Sequence, residues 1–218
     1  YYIPRSNVIM ESGISEEYAY EYGYFKGDGH IANKDRNPYA HVCIYNEKDK
    51  NLGLRYRIIA SDMTNVYGTS YFEAKFDNLN IDLCIKLKQE LPNIVFSWDK
   101  NSILNFIAGW ADADGTNAAK GIRIYGDYNS LKKGQLLLTK IGINSSLNLM
   151  SEKGVKTNLC IRKNSVWYLQ ITKTINIPSR RLVCDNKEEC KFKGKYQQIN
   201  SIELLPLEQD VYCLEESK

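Results

Sequence analysis

The stretch that most constrains this chain is ILNFIAGWADADGT, residues 103–116. An apolar run with small residues ends in alternating acids and glycine, which reads as a helix stopping at an Asp-Gly step. Nearly the same pattern stands upstream at residues 18–30, YAYEYGYFKGDGH. The acids Asp28 and Asp114 are 86 residues apart. A repeat of that length means two half-domains related by a pseudo-twofold rather than a solenoid.

The segments between the two copies repeat as well. Ser15 reads as an N-cap with Glu16 and Glu17 in the first turn, and the helix runs to about Lys26 before Gly27-Asp28-Gly29 ends it. HIAN, YAHVCIYNE, LRYRIIASD and TSYFEAKF read as strands separated by turn-rich pieces. IDLCIKLKQEL has Ile81, Cys84, Ile85, the Lys88 stem and Leu91 at helical spacing, closed by Pro92. Residues 93–101 read as a connector, and Ser102 as the cap of a helix over about 103–113. GIRIYG reads as a strand, and NSLKKGQLLLTKIGI as an amphipathic helix ending near Gly142. Residues 146–150, 158–163 and 166–173 read as strands, the last two forming a hairpin, with IPSRRLV a short terminal element. The fold class expected is α+β. The expected divisions are a connector over 1–15, halves over 16–100 and 101–185, and a C-terminal β extension over 186–218.

In register, EYGYFKGDG faces IAGWADADG. Gly23 and Gly27 are four apart, as are Gly109 and Ala113, so each pair shares a helix face. Small residues there let two helix backbones approach closely. Packed in parallel, the helices bring Asp28 and Asp114 together. Two close carboxylates at helix C-termini call for a cation. Oxygen ligands select a hard divalent ion, Mg²⁺ first and Mn²⁺ as an alternative, which is the minimal kit for attack on a phosphodiester. A single Asp-Gly step after a helix is ordinarily only a cap and turn. The argument rests on two matched copies.

These motifs resemble the paired dodecapeptides of the LAGLIDADG homing endonucleases. FIAGWADADG is close to the consensus. YEYGYFKGDG departs from it at Glu21, Tyr22 and Lys26 and keeps its Gly-Asp-Gly end. The stretch LPNIVFSWDKNSILNFIAGWADADGT followed by LKKGQLLLTKIGI is similar in layout to the second half of endonucleases carried within inteins.

The resemblance, over roughly residues 15–185, implies two αββαββα halves whose motif helices form the interface through Gly23, Gly27, Gly109 and Ala113. It implies a saddle of antiparallel strands in the DNA major groove and staggered double-strand cleavage by Asp28 and Asp114. The carbonyls of Gly27 and Ala113 are further metal-ligand candidates. A basic residue is implied near each acid, and Lys75 and Lys173 are the choices, with a phosphate contact or a solvated strand residue as the competing readings. DNA contacts are expected from His30, Arg36, His41, Tyr45, Arg55, Arg57, Arg123, Tyr125, Arg162, Lys163 and Tyr168, long polar side chains on or beside the strands.

QINSIELLPLEQDVYCLEESK resembles the last β segment of inteins. The closing His-Asn is missing and residue 1 is neither Cys nor Ser, so this chain is not expected to self-splice. Residues 186–218 are then a splicing-domain remnant or an added DNA-contact element. The alternative to an intein-encoded nuclease is a LAGLIDADG-fold module that has lost cleavage and only binds nucleic acid.

Composition bounds these readings. Net charge is +3, which permits a polyanionic partner without demanding one. No apolar run approaches the roughly 18 residues of a membrane span. The start lacks a secretory pattern and an initiator Met, so a processed or excised intracellular piece is expected, in the cytoplasm or nucleoid, or in a nucleus or organelle of a eukaryote. Six scattered cysteines are expected to be reduced, and the Cys184/Cys190 spacing misses the CxxC of zinc sites. With two matched halves in one chain, the molecule is expected to act as a monomer on long, double-stranded DNA sites.

Overall fold

A computed structural model describes residues 14–182 apart from residues 34, 46, 157–161 and 173–175. Two helices, α1 (Glu16–Asp28) and α5 (Lys100–Asp114), pack along each other at the centre. Ser15 caps α1 as its sequence requires, its hydroxyl accepting from the Tyr18 amide. The cap of α5 lies at Asp99 rather than at the expected Ser102, and the helix starts earlier for that reason. A carboxylate accepts from the Ser102 amide, while the Ser102 hydroxyl turns to Asp99 and the Ile14 carbonyl. Residues Ala19–Phe25 are buried on every side of α1. The chain there is core all round rather than amphipathic.

Each motif helix leads into a four-stranded antiparallel sheet. The first contains β1 (His30–Ala32), β2 (Tyr39–Ile44), β3 (Arg57–Thr64) and β4 (Ser70–Phe76), in the order β1-β2-β4-β3. The second contains β5 (Gly115–Ala118), β6 (Gly121–Gly126), β7 (Ser145–Ser151) and β8 (Val166–Thr172), in the order β5-β6-β8-β7. The same strand order thus recurs. Strand alternation sends Ala40, Val42, Ile44, Ala74 and Phe76, and in the second sheet Ile122, Ile124, Leu169 and Ile171, into the core. The residues between them lie on the opposite face.

β5 has no alternating apolar pattern and was not expected. It forms because the motif helix ends at Gly115 and the chain turns straight back against β6. β8 pairs with β7 in register Leu147↔Leu169 and with β6 along its other edge, while residues 158–161 of the expected hairpin lie outside the described residues. α2 (Glu47–Lys50) and α4 (Asn93–Phe96) are short turns within stretches that read as loop. α3 (Ile81–Gln89) and α6 (Tyr128–Lys140) bury the faces marked by Cys84 and Leu87, and by Leu131, Leu137 and Leu138. No described helix is long and apolar enough to cross a membrane.

Candidate active site at the ends of the paired helices

Two glycines set the approach of α1 and α5. A Cβ on Gly23 would stand 1.9 Å from the Phe106 carbonyl oxygen, and one on Gly109 would stand 2.0 Å from that of Tyr20. No side chain can occupy either point. One turn further on, a Cβ on Gly27 would meet the Ala113 methyl at 2.4 Å and Asp114 Oδ2 at 3.0 Å. The contacts advance in the same direction along both helices, so the pair runs parallel and its C-terminal ends coincide. Asn105 donates to Glu16 at the start and Tyr20 donates to Asp112 Oδ2 at 2.7 Å across the middle.

Asp28 and Asp114 therefore end side by side. Asp28 is exposed and Asp114 is half-buried, with protein packed close beside each carboxyl. Burial first, then the negative charges of Asp114 and Asp49, raise the Asp28 carboxyl to about 6. Burial also raises Asp114, opposed by Lys88, a hydrogen bond from Trp110, Lys26 and Arg181.

The carbonyls at these helix ends hold basic side chains. Lys88 of α3 donates to the carbonyls of Lys26 and Gly27 at 2.8 and 2.9 Å. Arg181, in the segment after β8, donates to those of Ala113 and Gly115 at 3.3 Å and pairs with Asp49 at 3.5 Å. Burial and the neighbouring Lys26 pull the Lys88 ammonium down to about 8, against the pull of Asp114 and Asp28. Neither residue was singled out as a site residue from the sequence. Lys88 had left a trace, as a lysine on the apolar face of its helix. Arg181 had none.

The two acids and the Gly27 and Ala113 carbonyls form an all-oxygen set. Two carboxylates held together against their charge fit a hard divalent cation.

Asp112, the other motif acid, is fully buried and accepts from Tyr20, from Ser179 Oγ, and from the amides of Arg180, Arg181 and Leu182. It fastens residues 179–182 onto α5. Its counterpart Lys26 donates to Ser130 at 3.2 Å and lies over the Trp110 ring.

The other candidates separate by face. His30, His41, Tyr45 and Lys75 lie on or beside the outer face of the first sheet. Tyr45 stacks on Tyr71, and Lys75 sits 3.9 Å from Asp77. Arg123, Tyr125 and Tyr168 lie on the outer face of the second sheet, where Arg123 donates to Gln170 and covers the Tyr168 ring. Arg36 and Lys163 are exposed in loops, and Arg162 is half-buried. Arg57 is exposed and paired with Asp77 at 3.3 Å. Arg55 lies at the surface, its side chain 41% exposed, and is anchored to α1. Its guanidinium and amide grip the buried Glu21 carboxylate, and it covers the Tyr18 ring. Glu21 is thus the motif-one departure that Arg55 accommodates. Lys173, and residues 186–218 with Cys184 and Cys190, lie outside the described residues.

No protein-family model matches the sequence, and no curated protein does. Solved structures do. A single-substitution variant of I-DmoI in complex with its target DNA in the presence of Mg superposes with a TM-score of 0.50 at 14% identity, over 72% of this chain and 89% of that one. The homing endonuclease I-WcaI bound to its DNA recognition sequence gives 0.45 at 12% identity, over 73% and 78%. I-DmoI in complex with DNA and Mn gives 0.45 at 15% identity, over 72% and 89%. At such identities the first of these establishes architecture alone. The mixed helices and two antiparallel four-stranded sheets of this chain are the LAGLIDADG homing endonuclease fold.

Proposed function

We propose that this protein is a site-specific DNA endonuclease that makes a staggered double-strand break, acting as a monomer whose two halves are related by a pseudo-twofold. The observation that carries the reading is the delivery of Asp28 and Asp114 to one point by helices whose backbones touch at Gly23 and Gly109. Nothing about stability requires that juxtaposition, since burial there raises both carboxyls and the Asp114 charge raises Asp28 further.

Asp28 and Asp114, with the Gly27 and Ala113 carbonyls, would hold Mg²⁺ or Mn²⁺. Such an ion, when bound, activates a water and steadies the leaving oxygen of a phosphodiester. The chain's own groups do the rest. Lys88 holds a positive charge at the rim and releases its proton near pH 8. Lys75 and the outer faces of the sheets would meet phosphates and base edges. The C-terminal resemblance to inteins supports an intein-encoded, intracellular enzyme.

The test is cleavage of a plasmid library of randomised inserts, with Mg²⁺ or Mn²⁺ and sequencing of the ends. Wild type should give cohesive ends at one long site. Asp28→Asn and Asp114→Asn should each lose at least about 100-fold, the scale of removing one group that stabilises charge in a transition state. Tight binding by wild type with no cut strand would reduce the reading to a cleavage-defective binding module.

A further inference from the structure

The outer face of the first sheet carries two donors, Cys43 and Glu73, that the endonuclease reading leaves unused. Alternation along β2 puts His41 and Cys43 on the face opposite Ala40, Val42 and Ile44. β4 runs antiparallel beside it and sets Glu73 directly across from Cys43. One ring nitrogen of His41, the Cys43 sulfur and a Glu73 oxygen lie within 4.8 Å of one another. His41 Nε2 stands 3.3 Å from Glu73 Oε2. That separation is about the edge of a tetrahedron built on bonds of roughly 2.0–2.1 Å.

The surroundings favour an ion there. His41 is 4% exposed, and Cys43 and Glu73 are half-buried, so the ring is held rather than free to rotate in solvent. Its other nitrogen, Nδ1, faces Nδ1 of His30 at 3.3 Å. If Nδ1–H donates to His30, Nε2 is left with its lone pair towards Glu73 and Cys43. A metal-bound imidazole needs such a partner behind it to fix its tautomer. One imidazole, one thiol and one carboxylate form a borderline donor set that suits Zn²⁺ and its neighbours and suits Mg²⁺ poorly. The set is therefore chemically distinct from the all-oxygen pair Asp28 and Asp114.

We propose that His41, Cys43 and Glu73 bind a zinc-class transition-metal ion on the outer face of β2 and β4, with His30 orienting His41 and the fourth position left to water. The ion neutralises Glu73 on a face otherwise populated by Lys75, Arg57 and histidines, and it ties β2 to β4. The register of the second sheet puts Arg123, Tyr125 and Tyr168 in the corresponding places, so the second sheet does not repeat the site. The proposal does not depend on nuclease activity.

The test uses the full chain carrying Asp28→Asn, Asp114→Asn, Cys184→Ser and Cys190→Ser, titrated with Co²⁺ and then Zn²⁺. One equivalent of Co²⁺ should give a thiolate-to-cobalt charge-transfer band that Zn²⁺ abolishes. Cys43→Ser, nearly isosteric, should lose the band. Glu73→Gln should keep the band and weaken Zn²⁺ binding at least about tenfold, and His30→Ala should do the same through His41, by about 10–100-fold. Circular dichroism of each metal-free variant checks folding. A band that is absent in the parent, or persists in Cys43→Ser, overturns the proposal and leaves a metal-free hydrogen-bonded chain of His30, His41 and Glu73.

Discussion

The two motif helices are alike where they touch and unlike where they are fastened. Gly23 and Gly109 play the same part, each lying against the other helix's backbone, and both helices end in an acid. Two positions before that acid, α1 has Lys26 and α5 has Asp112. Lys26 is a desolvated cation reaching to Ser130 of α6. Asp112 is a buried anion that gathers five donors and pins residues 179–182. The end of α1 is held by Lys88 from α3, and the end of α5 by Arg181 from the segment after β8. Geometry at the acids is thus common to both halves, and the fastening around it is particular to each.

The shared part breaks most violently. Gly23→Val and Gly109→Val should each place carbon inside a backbone carbonyl with no flexible side chain to move aside. Each is expected to cost more than about 4–5 kcal/mol, the upper tail for single changes, and to abolish cooperative urea unfolding. Near-equal losses would confirm the likeness. A Gly109→Val chain that melts like wild type would end it.

The unlike part comes next. Asp112→Ala leaves two hydroxyls and three amides without this acceptor, and about 3–5 kcal/mol is expected, as when one member of a buried polar cluster is removed. Lys26→Met gives up the ammonium over the Trp110 ring but also removes a charge whose burial is already unfavourable, which puts it within about 1 kcal/mol of wild type. Paired unfolding curves would show the asymmetry directly. Equal effects would mean that the two positions do the same work.

This contrast also marks what a sequence shows. The helix contact was legible, because small residues four apart in two aligned copies leave few alternatives. So were the core faces of β2, β6 and β8, since alternation fixes them. The fastening was not legible. Glu21 looked like a flaw in the motif until Arg55, 34 residues away, was seen to grip it. Arg55 itself looked like any strand arginine. Asp112 differs from Asp114 only in what the fold brings to it: one donor comes from 92 residues back and the other four from 67 to 70 residues further along the chain. Pairings of that span follow from topology, and single side chains do not announce them. β5 formed without any apolar pattern because a neighbouring strand supplied its hydrogen bonds.

A smaller effect concerns the acids themselves. The Asp28 carboxyl titrates at about 6 in the fold and in the ordinary carboxylate range, near 4, when unfolded. The folded state therefore holds the proton more tightly. Asp28 contributes most favourably below about pH 4, and that contribution is lost as pH rises through about 6. Asp28→Asn does not titrate, so relative to wild type it should gain stability across that window and keep the gain at pH 8. Asp114→Asn should gain in the same direction. Urea midpoints measured without divalent metal at about pH 4 and pH 8 decide it, and a loss at the higher pH would contradict the crowding of the two carboxylates.

The smallest effect separates the two fastening cations, and their influence runs crosswise. Lys88 caps the carbonyls of α1, yet it is the leading group that holds down Asp114 of α5 against the rise due to burial. Arg181 caps the carbonyls of α5, yet it outweighs Lys88 in holding down Asp28 of α1, which burial and the charges of Asp114 and Asp49 push up. Each helix end therefore borrows the other's counter-charge, as expected when the two ends meet at one point. Lys88→Met removes the ammonium, which lies over the Phe25 ring, and keeps an apolar stem, so it should move the Asp114 titration upward more than that of Asp28. Arg181→Met should move Asp28 upward more than Asp114. Carboxyl carbon NMR on aspartate-labelled protein reads the two acids separately, and shifts of a few tenths of a unit to about one unit are expected for cations at this range. Lys88→Met should also lose the titration near pH 8 that the lysine contributes. Were each substitution to move only the acid on the helix it caps, the ends would be independent, and the case for one shared metal-binding centre would lose its electrostatic basis.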